Sequence, residues 1–156
     1  MNYKRFIEEY LGKGLIKKQK SDFRSAKKLI LRAKKDIKTA RANLEIDEGI
    51  AYTVAYLAML RAGRALMFLK GFRPADRYQH KTVVEFMSQF LGTEFKPIVE
   101  RFDKMRRKRN IFTYDVDISI SKTIVRSINN RVASDYFLGW IYFSSPSYLS
   151  NRKSHY

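Results

Sequence analysis

The stretch from Ile50 to Gly71, IAYTVAYLAMLRAGRALMFLKG, decides the fold of this chain. Wound into a helix it is apolar on nearly every side, which is typical of a helix buried at the centre of a domain. Asp47 and Glu48 can open this helix and Gly71 can end it. Small residues recur at every third or fourth position and predict either close helix packing or a dimer interface: Ala51, Ala55, Ala58, Ala62 and Ala65.

Helical periodicity continues on both sides of this stretch. Before it, apolar residues recur every three or four positions from Phe23 to Leu44, after Ser21 or Asp22 as a cap. After it, the pattern predicts a shorter helix over about 80–91, a longer one from Thr93 or Glu94, and a last one beyond Ser119 or Ser121. The sequence therefore predicts an all-α fold, an up-and-down bundle of four to five helices over 22–143. A basic segment over 1–21 precedes it, and a polar, flexible tail over 144–156 follows.

The charge of the chain predicts a polyanionic partner. Lys and Arg number 32 against 15 Asp and Glu, a formal charge of +17. Residues 1–41 hold 14 of the basic and 4 of the acidic residues. Most line the polar faces of the first long predicted helix: Arg24, Lys27, Lys28, Arg32, Lys34, Lys35, Lys38 and Arg41. A run of cations specifies an electrostatic partner class, not a sequence or a reaction.

Several classes of function are disfavoured by composition. The chain has no cysteine, so a thiolate metal site and a Cys nucleophile are excluded, and with His80 and His155 as the two histidines we expect no metal and no cofactor. No Gly-rich phosphate loop is present. The longest apolar run, Tyr136 to Phe143, is far shorter than the ~20 residues that span a bilayer. We therefore expect a cytoplasmic protein without a membrane partner.

Arg109, followed by Asn110, is the most informative candidate site residue. At 100° per residue it falls within the apolar arc of its helix, near Arg106, while Arg107 and Lys108 fall outside it. A guanidinium on a core-facing side needs an anion or a set of acceptors. Two interpretations stay open, a structural salt bridge to Asp47, Glu48 or Asp115 and a phosphate-binding arginine.

Three segments resemble the HEPN family (higher eukaryotes and prokaryotes nucleotide-binding domain), whose members are helical bundles. They are AYTVAYLAMLRAGRALMFLKGFRP (51–74), HKTVVEFMSQFLG (80–92) and RRKRNIFTYD (106–115). In active members of that family an Arg, followed after four to six residues by His, cleaves RNA without metal, generally across a dimer interface. Arg109 and Asn110 match this motif, whereas the His positions hold Tyr114, Asp115 and Val116.

The resemblance implies a homodimer that binds RNA or nucleotide phosphate, with weak or absent catalysis. Arg109 would hold the phosphate, with Arg106 close to it, and Asn110 and Tyr114 would orient it. Asp47 or Glu48 would position the arginine, and His80 would join the site if its loop reaches Arg109. Such proteins often pair with a nucleotidyltransferase in toxin–antitoxin or defence modules. The alternatives are a divergent metal-independent endoribonuclease using Arg109 with Tyr114 or His80, and a structural partner protein with Arg109 in a buried salt bridge.

Overall fold

The computed structural model describes residues 2–75 and 79–114, together with positions 123, 126, 138, 139 and 141. Of residues 110–114 it describes the helical backbone and not the side chains. The five separate positions are helical, and Leu138 and Ile141 are buried in the core. The predicted last helix otherwise lies outside the described residues, as does the predicted tail over 144–156.

The fold is an all-α helical bundle, as the periodicity predicted. The described residues form five α-helices, a single turn of 3₁₀-helix and one small sheet. In chain order these are α1 Tyr3–Gly12, β1 Ile16–Lys18, α2 Phe23–Asn43, α3 Glu48–Leu69, β2 Phe72–Pro74, α4 Gln79–Phe90, the 3₁₀ turn Thr93–Phe95 and α5 Lys96–Tyr114. None of these helices is long and apolar enough to cross a membrane.

Helices α2 and α3 form an antiparallel pair at the centre of the bundle. The start of α2 lies beside the end of α3, because the Asp22 amide donates to the Phe68 carbonyl (3.1 Å) and the Ser21 hydroxyl to that of Leu69 (2.8 Å). Buried positions alternate steps of three and four, a spacing that keeps one seam of each helix facing its neighbour. The buried residues that follow this spacing are Ala26, Ile30, Ala33, Ile37 and Ala40 in α2, and Ala51, Ala55, Ala58, Ala62, Ala65 and Leu69 in α3. The alanine stripe of α3 is thus used within one chain for close packing.

A buried ion pair also joins these two helices. The Asp36 carboxylate, 2% exposed, accepts from Arg32 Nε (3.1 Å) one turn earlier and from Arg61 Nη1 on α3. Asp36 is the one acidic residue of α2. Two guanidinium partners make its burial tolerable, since an unpaired buried carboxylate would be strongly destabilising.

Helix α4 packs closely on α3 at Gly63. A Cβ atom at that position would meet the Val83 side chain and come within 2.6 Å of Met87 Sδ. Only glycine lets the two helices approach this closely. This contact fixes the position of α4, whose first turn carries His80.

Helix α1 and the small sheet belong to the same core. Phe6, Ile7 and Tyr10 of α1 and Ile16 of β1 are buried within it. The segment predicted over 1–21 as a basic stretch ahead of the bundle is therefore packed into the bundle. In the sheet, β1 runs antiparallel to β2 with Lys17 opposite Arg73. Gly71 leads into β2 with φ +79, and a Cβ there would lie 3.1 Å from the Gln19 carbonyl oxygen.

Candidate phosphate site

Three helices bring Tyr56, His80 and Arg109 into contact. Arg109 Nη1 of α5 lies 2.8 Å from His80 Nδ1 of α4 and 3.3 Å from its Nε2. The Tyr56 hydroxyl of α3 lies 2.5 Å from the same Nδ1. The Tyr56 ring stacks on the imidazole with centroids 5.7 Å apart, and the Arg109 guanidinium carbon lies 5.7 Å from the centre of that ring. We call these three residues and Arg64 the His80 cluster.

The electrostatics of the cluster keep His80 uncharged at neutral pH. Burial, together with the positive charges of Arg109, Arg64 and Arg106, lowers its pKa to about 4. A neutral imidazole has one nitrogen lone pair, which can accept a hydrogen bond from Arg109 or from Tyr56. His80 thus stands as a hydrogen-bond acceptor and proton acceptor within a positive field.

Tyr56 stays protonated over the whole working range of pH. Burial raises the pKa of its hydroxyl and outweighs the opposing effect of Arg109, Arg106 and Arg64. Its ring also packs against the buried Phe102 of α5, with centroids 5.4 Å apart. Tyr56 therefore both holds α5 against α3 and offers a hydroxyl to the cluster.

Arg64 adds a second guanidinium from α3. Its Nη2 donates to Gln79 Oε1 in the first turn of α4, and burial lowers its pKa. Its Nε is buried and has no hydrogen-bond partner among the described residues. Arg64 did not stand out in the sequence, although an arginine inside a helix that is apolar nearly all round is a signal that could have found it.

The predicted orientation of the basic run on α5 is confirmed. Arg106 and Arg109 are half-buried, whereas Arg107 and Lys108 are exposed. Arg106 Nε donates to Asp103 Oδ1 (2.9 Å), and Arg107 Nε donates to the other oxygen of that carboxylate (2.9 Å). Asp103 therefore holds Arg106 in place, and the charge of Arg106 still reaches His80.

The other predicted site residues lie elsewhere or outside the described atoms. Asp47 is the N-cap of α3, where its carboxylate accepts from the Ile50 amide (2.9 Å), and Glu48 occupies the first turn. Both precede Tyr56 by about two turns of helix or more, roughly 12 Å at 1.5 Å per residue. Asn110 and Tyr114 continue α5 beyond Arg109, but their side chains are outside the described atoms, as is Asp115.

Neither of two other features makes a rival site. Within the described ranges no three of His, Cys, Asp and Glu gather closely enough to hold a metal ion. A depression of about 310 Å³ lies where α4 meets α5, lined by residues that include Ser88, Lys96 and Glu100. It is open, its one cation lies 3.9 Å from Glu100, and it is separate from the His80 cluster.

The comparison with known proteins adds no assignment. No model of a known protein family matches the chain, and no curated protein matches it. The function must therefore be argued from the geometry of the His80 cluster.

Proposed function

We propose that the chain binds the phosphate group of RNA or of a nucleotide at the His80 cluster. The observation that carries the proposal is the approach of Arg109 Nη1 to 2.8 Å from His80 Nδ1, with Arg64 and Arg106 close enough to shift the histidine pKa. Arginines bring only donors and positive charge to a site. A phosphate supplies the acceptors and negative charge that such a site favours.

The wider setting proposed for this activity follows the resemblance seen in the sequence. We infer a HEPN-like protein, cytoplasmic and homodimeric, that pairs with a nucleotidyltransferase in a toxin–antitoxin or defence module. The contact between His80 and Arg109 supports this setting indirectly, because it supplies a histidine that the sequence motif lacks. Catalysis is weak or absent in this leading hypothesis.

The phosphate site is tested by titrating the full chain with AMP in a calorimeter, for the wild type and two variants. Arg109→Ala should weaken binding by roughly 10- to 100-fold, since a charge-assisted hydrogen bond contributes about 1.5–3 kcal/mol. Arg107→Ala is the matched control, because it removes an exposed arginine from the same helix and should change affinity less than about threefold. Equal losses in both variants, or no binding by the wild type, would exclude the site.

The contact between His80 and Arg109 also favours a second candidate, a metal-independent endoribonuclease. His80 would accept the proton of the ribose 2′-hydroxyl while the 2′ oxygen attacks phosphorus and the bond to the 5′ oxygen breaks. His80 would then pass this proton to the leaving oxygen, giving a 2′,3′-cyclic phosphate and a 5′-hydroxyl, while the buried Tyr56 hydroxyl holds the imidazole in place. Arg109 would stabilise the charge that develops on the phosphate oxygens.

Incubation with mixed RNA in EDTA separates the two candidates. An active nuclease should produce cyclic phosphate ends, and His80→Ala should slow it by about 100- to 10,000-fold. Arg109→Ala should do the same, while Arg107→Ala leaves the rate nearly unchanged. AMP binding with intact RNA would support the binding protein without catalysis. If Arg109→Ala lowers stability and leaves AMP affinity unchanged, Arg109 is a structural residue.

A further inference from the structure

The outward side of α2 is a basic surface, interrupted by the exposed Leu31, that the His80 cluster does not use. We define the α2 face as Arg24, Lys27, Lys28, Lys35, Lys38 and Arg41, all of which are exposed. The acidic residue of this helix, Asp36, is buried and paired, so it does not interrupt the face. At 1.5 Å per residue the 21 residues of α2 span about 31 Å.

The β1–β2 ribbon extends this surface at the start of α2. Lys17 and Arg73 lie directly opposite each other on the antiparallel ladder, and both are exposed. Lys18 and Lys20 are also exposed, and only residues 19–22 separate the ribbon from the helix. The ribbon therefore adds exposed cations within a few residues of the start of the α2 face.

This arrangement works against the stability of the fold. Arg24 and Lys28 are one turn apart, as are Lys35 and Lys38, and like charges at that spacing destabilise a helix by about 0.2–0.5 kcal/mol per pair. Cations in the first turns also oppose the helix dipole. Like charges directly opposite on two strands are unfavourable as well. A polyanion lying along the surface would offset each of these unfavourable interactions with an attraction.

We propose that the α2 face binds the phosphate backbone of duplex nucleic acid. The face presents three cations near the start of the helix and three toward its end, and a row of phosphates can contact both groups. It carries no aromatic side chain on which unpaired bases could stack, so it favours a duplex over a single strand. The apolar stripe of α2 is buried in the core, and Leu31 is its one large exposed apolar residue, so little is left to enter a membrane.

The α2 face and the His80 cluster lie on different sides of α3. The alanine stripe of α3 faces α2, and Tyr56 follows Ala51 by five residues, or about 140° around the helix axis. Both proposals concern nucleic-acid phosphate, but binding at the α2 face does not depend on the His80 cluster. A bound duplex would lie along α2 and would not contact the His80 cluster.

The test measures binding of a fluorescein-labelled 20-base-pair RNA duplex to the full chain by anisotropy, across a salt series. The α2-face variant carries Lys28→Gln and Lys35→Gln, and the matched control carries Lys96→Gln and Lys104→Gln. Both variants lose the same net charge, and all four lysines are exposed. Thermal unfolding of each variant checks that the fold is unchanged.

The α2-face variant should bind the duplex roughly 10- to 60-fold more weakly than the wild type near 0.1 M salt. Its slope of log K against log salt should become shallower by about 1.8, the loss of two phosphate contacts. The control should change affinity less than about threefold, and both variants should bind AMP as the wild type does. Unchanged AMP binding shows that the loss of duplex binding comes from the α2 face and not from damage to the His80 cluster.

Three results would overturn the proposal. Equal loss in both double variants would mean that net charge alone attracts RNA. Equal affinity for a single strand of the same length would show that the face does not prefer a duplex. If the chain binds phosphatidylserine vesicles through Lys28 and Lys35 and does not bind the duplex, the face contacts a membrane surface.

Discussion

At the scale of single residues, the surroundings of His80 determine whether its imidazole carries a proton. The imidazole sits between a tyrosine hydroxyl and a guanidinium, and three arginines make its protonated form unfavourable. A bound phosphate would add negative charge beside the ring and favour the imidazolium. Phosphate binding and protonation of His80 are therefore expected to strengthen each other.

The low pKa of His80 predicts a loss of stability in mild acid. In the unfolded chain the imidazole takes up a proton below pH 6.5, whereas in the folded chain it does so only below about pH 4. Between these values the unfolded state binds more protons, so stability falls as pH falls through this window. The measurement is urea unfolding of the wild type and His80→Gln at pH 7 and pH 4.5.

Carboxylates also titrate in this range, so the informative quantity is the difference between the two proteins. The wild type minus His80→Gln difference in unfolding free energy should become smaller at pH 4.5 than at pH 7. A difference that stays constant with pH would show that the imidazole titrates alike in both states.

The sequence located half of this site. Helical geometry placed Arg109 toward the core and Arg107 toward solvent, because that argument needs only positions on one helix. It named His80 only on the condition that its loop reaches Arg109, since the two are 29 residues apart and their contact depends on how α4 and α5 pack on α3. Tyr56 was visible only as part of a buried helix face, because nothing local shows which neighbour its hydroxyl meets.

At the scale of elements, the long helices were predictable and the short strands were not. The spans of α2 and α3 follow from long stripes with clear end signals in Asp22, Asp47 and Gly71. The predicted basic segment over 1–21 was assigned no helix, yet it holds α1, in which Gly12 is the last residue and after which Gly14 makes a turn at φ +66. Strands of three residues are too short for alternation to be recognised.

The contact at Gly63 predicts that α3 and α4 cannot separate without cost. Gly63→Ala should lower the unfolding free energy by about 1–3 kcal/mol, because the new methyl group meets Val83 and Met87. Urea unfolding measures this change. Gly12→Ala is the control, since a Cβ there meets nothing within 4 Å and should leave stability unchanged or slightly higher. Equal stability of Gly63→Ala and the wild type would mean that α4 moves freely on α3.

The ion pair between α2 and α3 predicts a second effect on stability. Asp36→Ala should lower the unfolding free energy by about 2–3 kcal/mol, because it leaves Arg61 partly buried without its partner. The loss is moderated since the Arg61 side chain is 27% exposed and can regain some hydration. Chemical denaturation is the measurement, with Glu100→Ala as a surface control expected to change stability by less than about 0.5 kcal/mol.

At the scale of the whole molecule, the central α2–α3 pair separates two chemically different surfaces. One side presents the α2 face, where exposed cations repel one another. The other side holds the His80 cluster, where cations are half-buried around an uncharged imidazole. Part of the excess positive charge thus lies on two distinct surfaces, and composition alone could not reveal that division.

The N-terminal segment braces the helix that carries His80. Helix α1 packs on α4, where Phe6 meets Phe86 with ring centroids 6.3 Å apart and the Tyr10 hydroxyl donates to Glu85 Oε2 (2.7 Å). Phe6→Ala should therefore lower the unfolding free energy by about 3–5 kcal/mol, the range for deleting a buried phenyl ring. AMP affinity should fall as well, because α4 would lose support along its length.

The control on the same helix is Tyr3→Ala. The Tyr3 side chain is 41% exposed and contacts Phe90 edge to face, so its loss should lower the unfolding free energy by about 1 kcal/mol and leave AMP affinity unchanged. Thermal and urea unfolding, followed by calorimetry with AMP, measure both effects. If Phe6→Ala is as stable as Tyr3→Ala, the N-terminal segment is an appendage and α4 holds His80 in place without it.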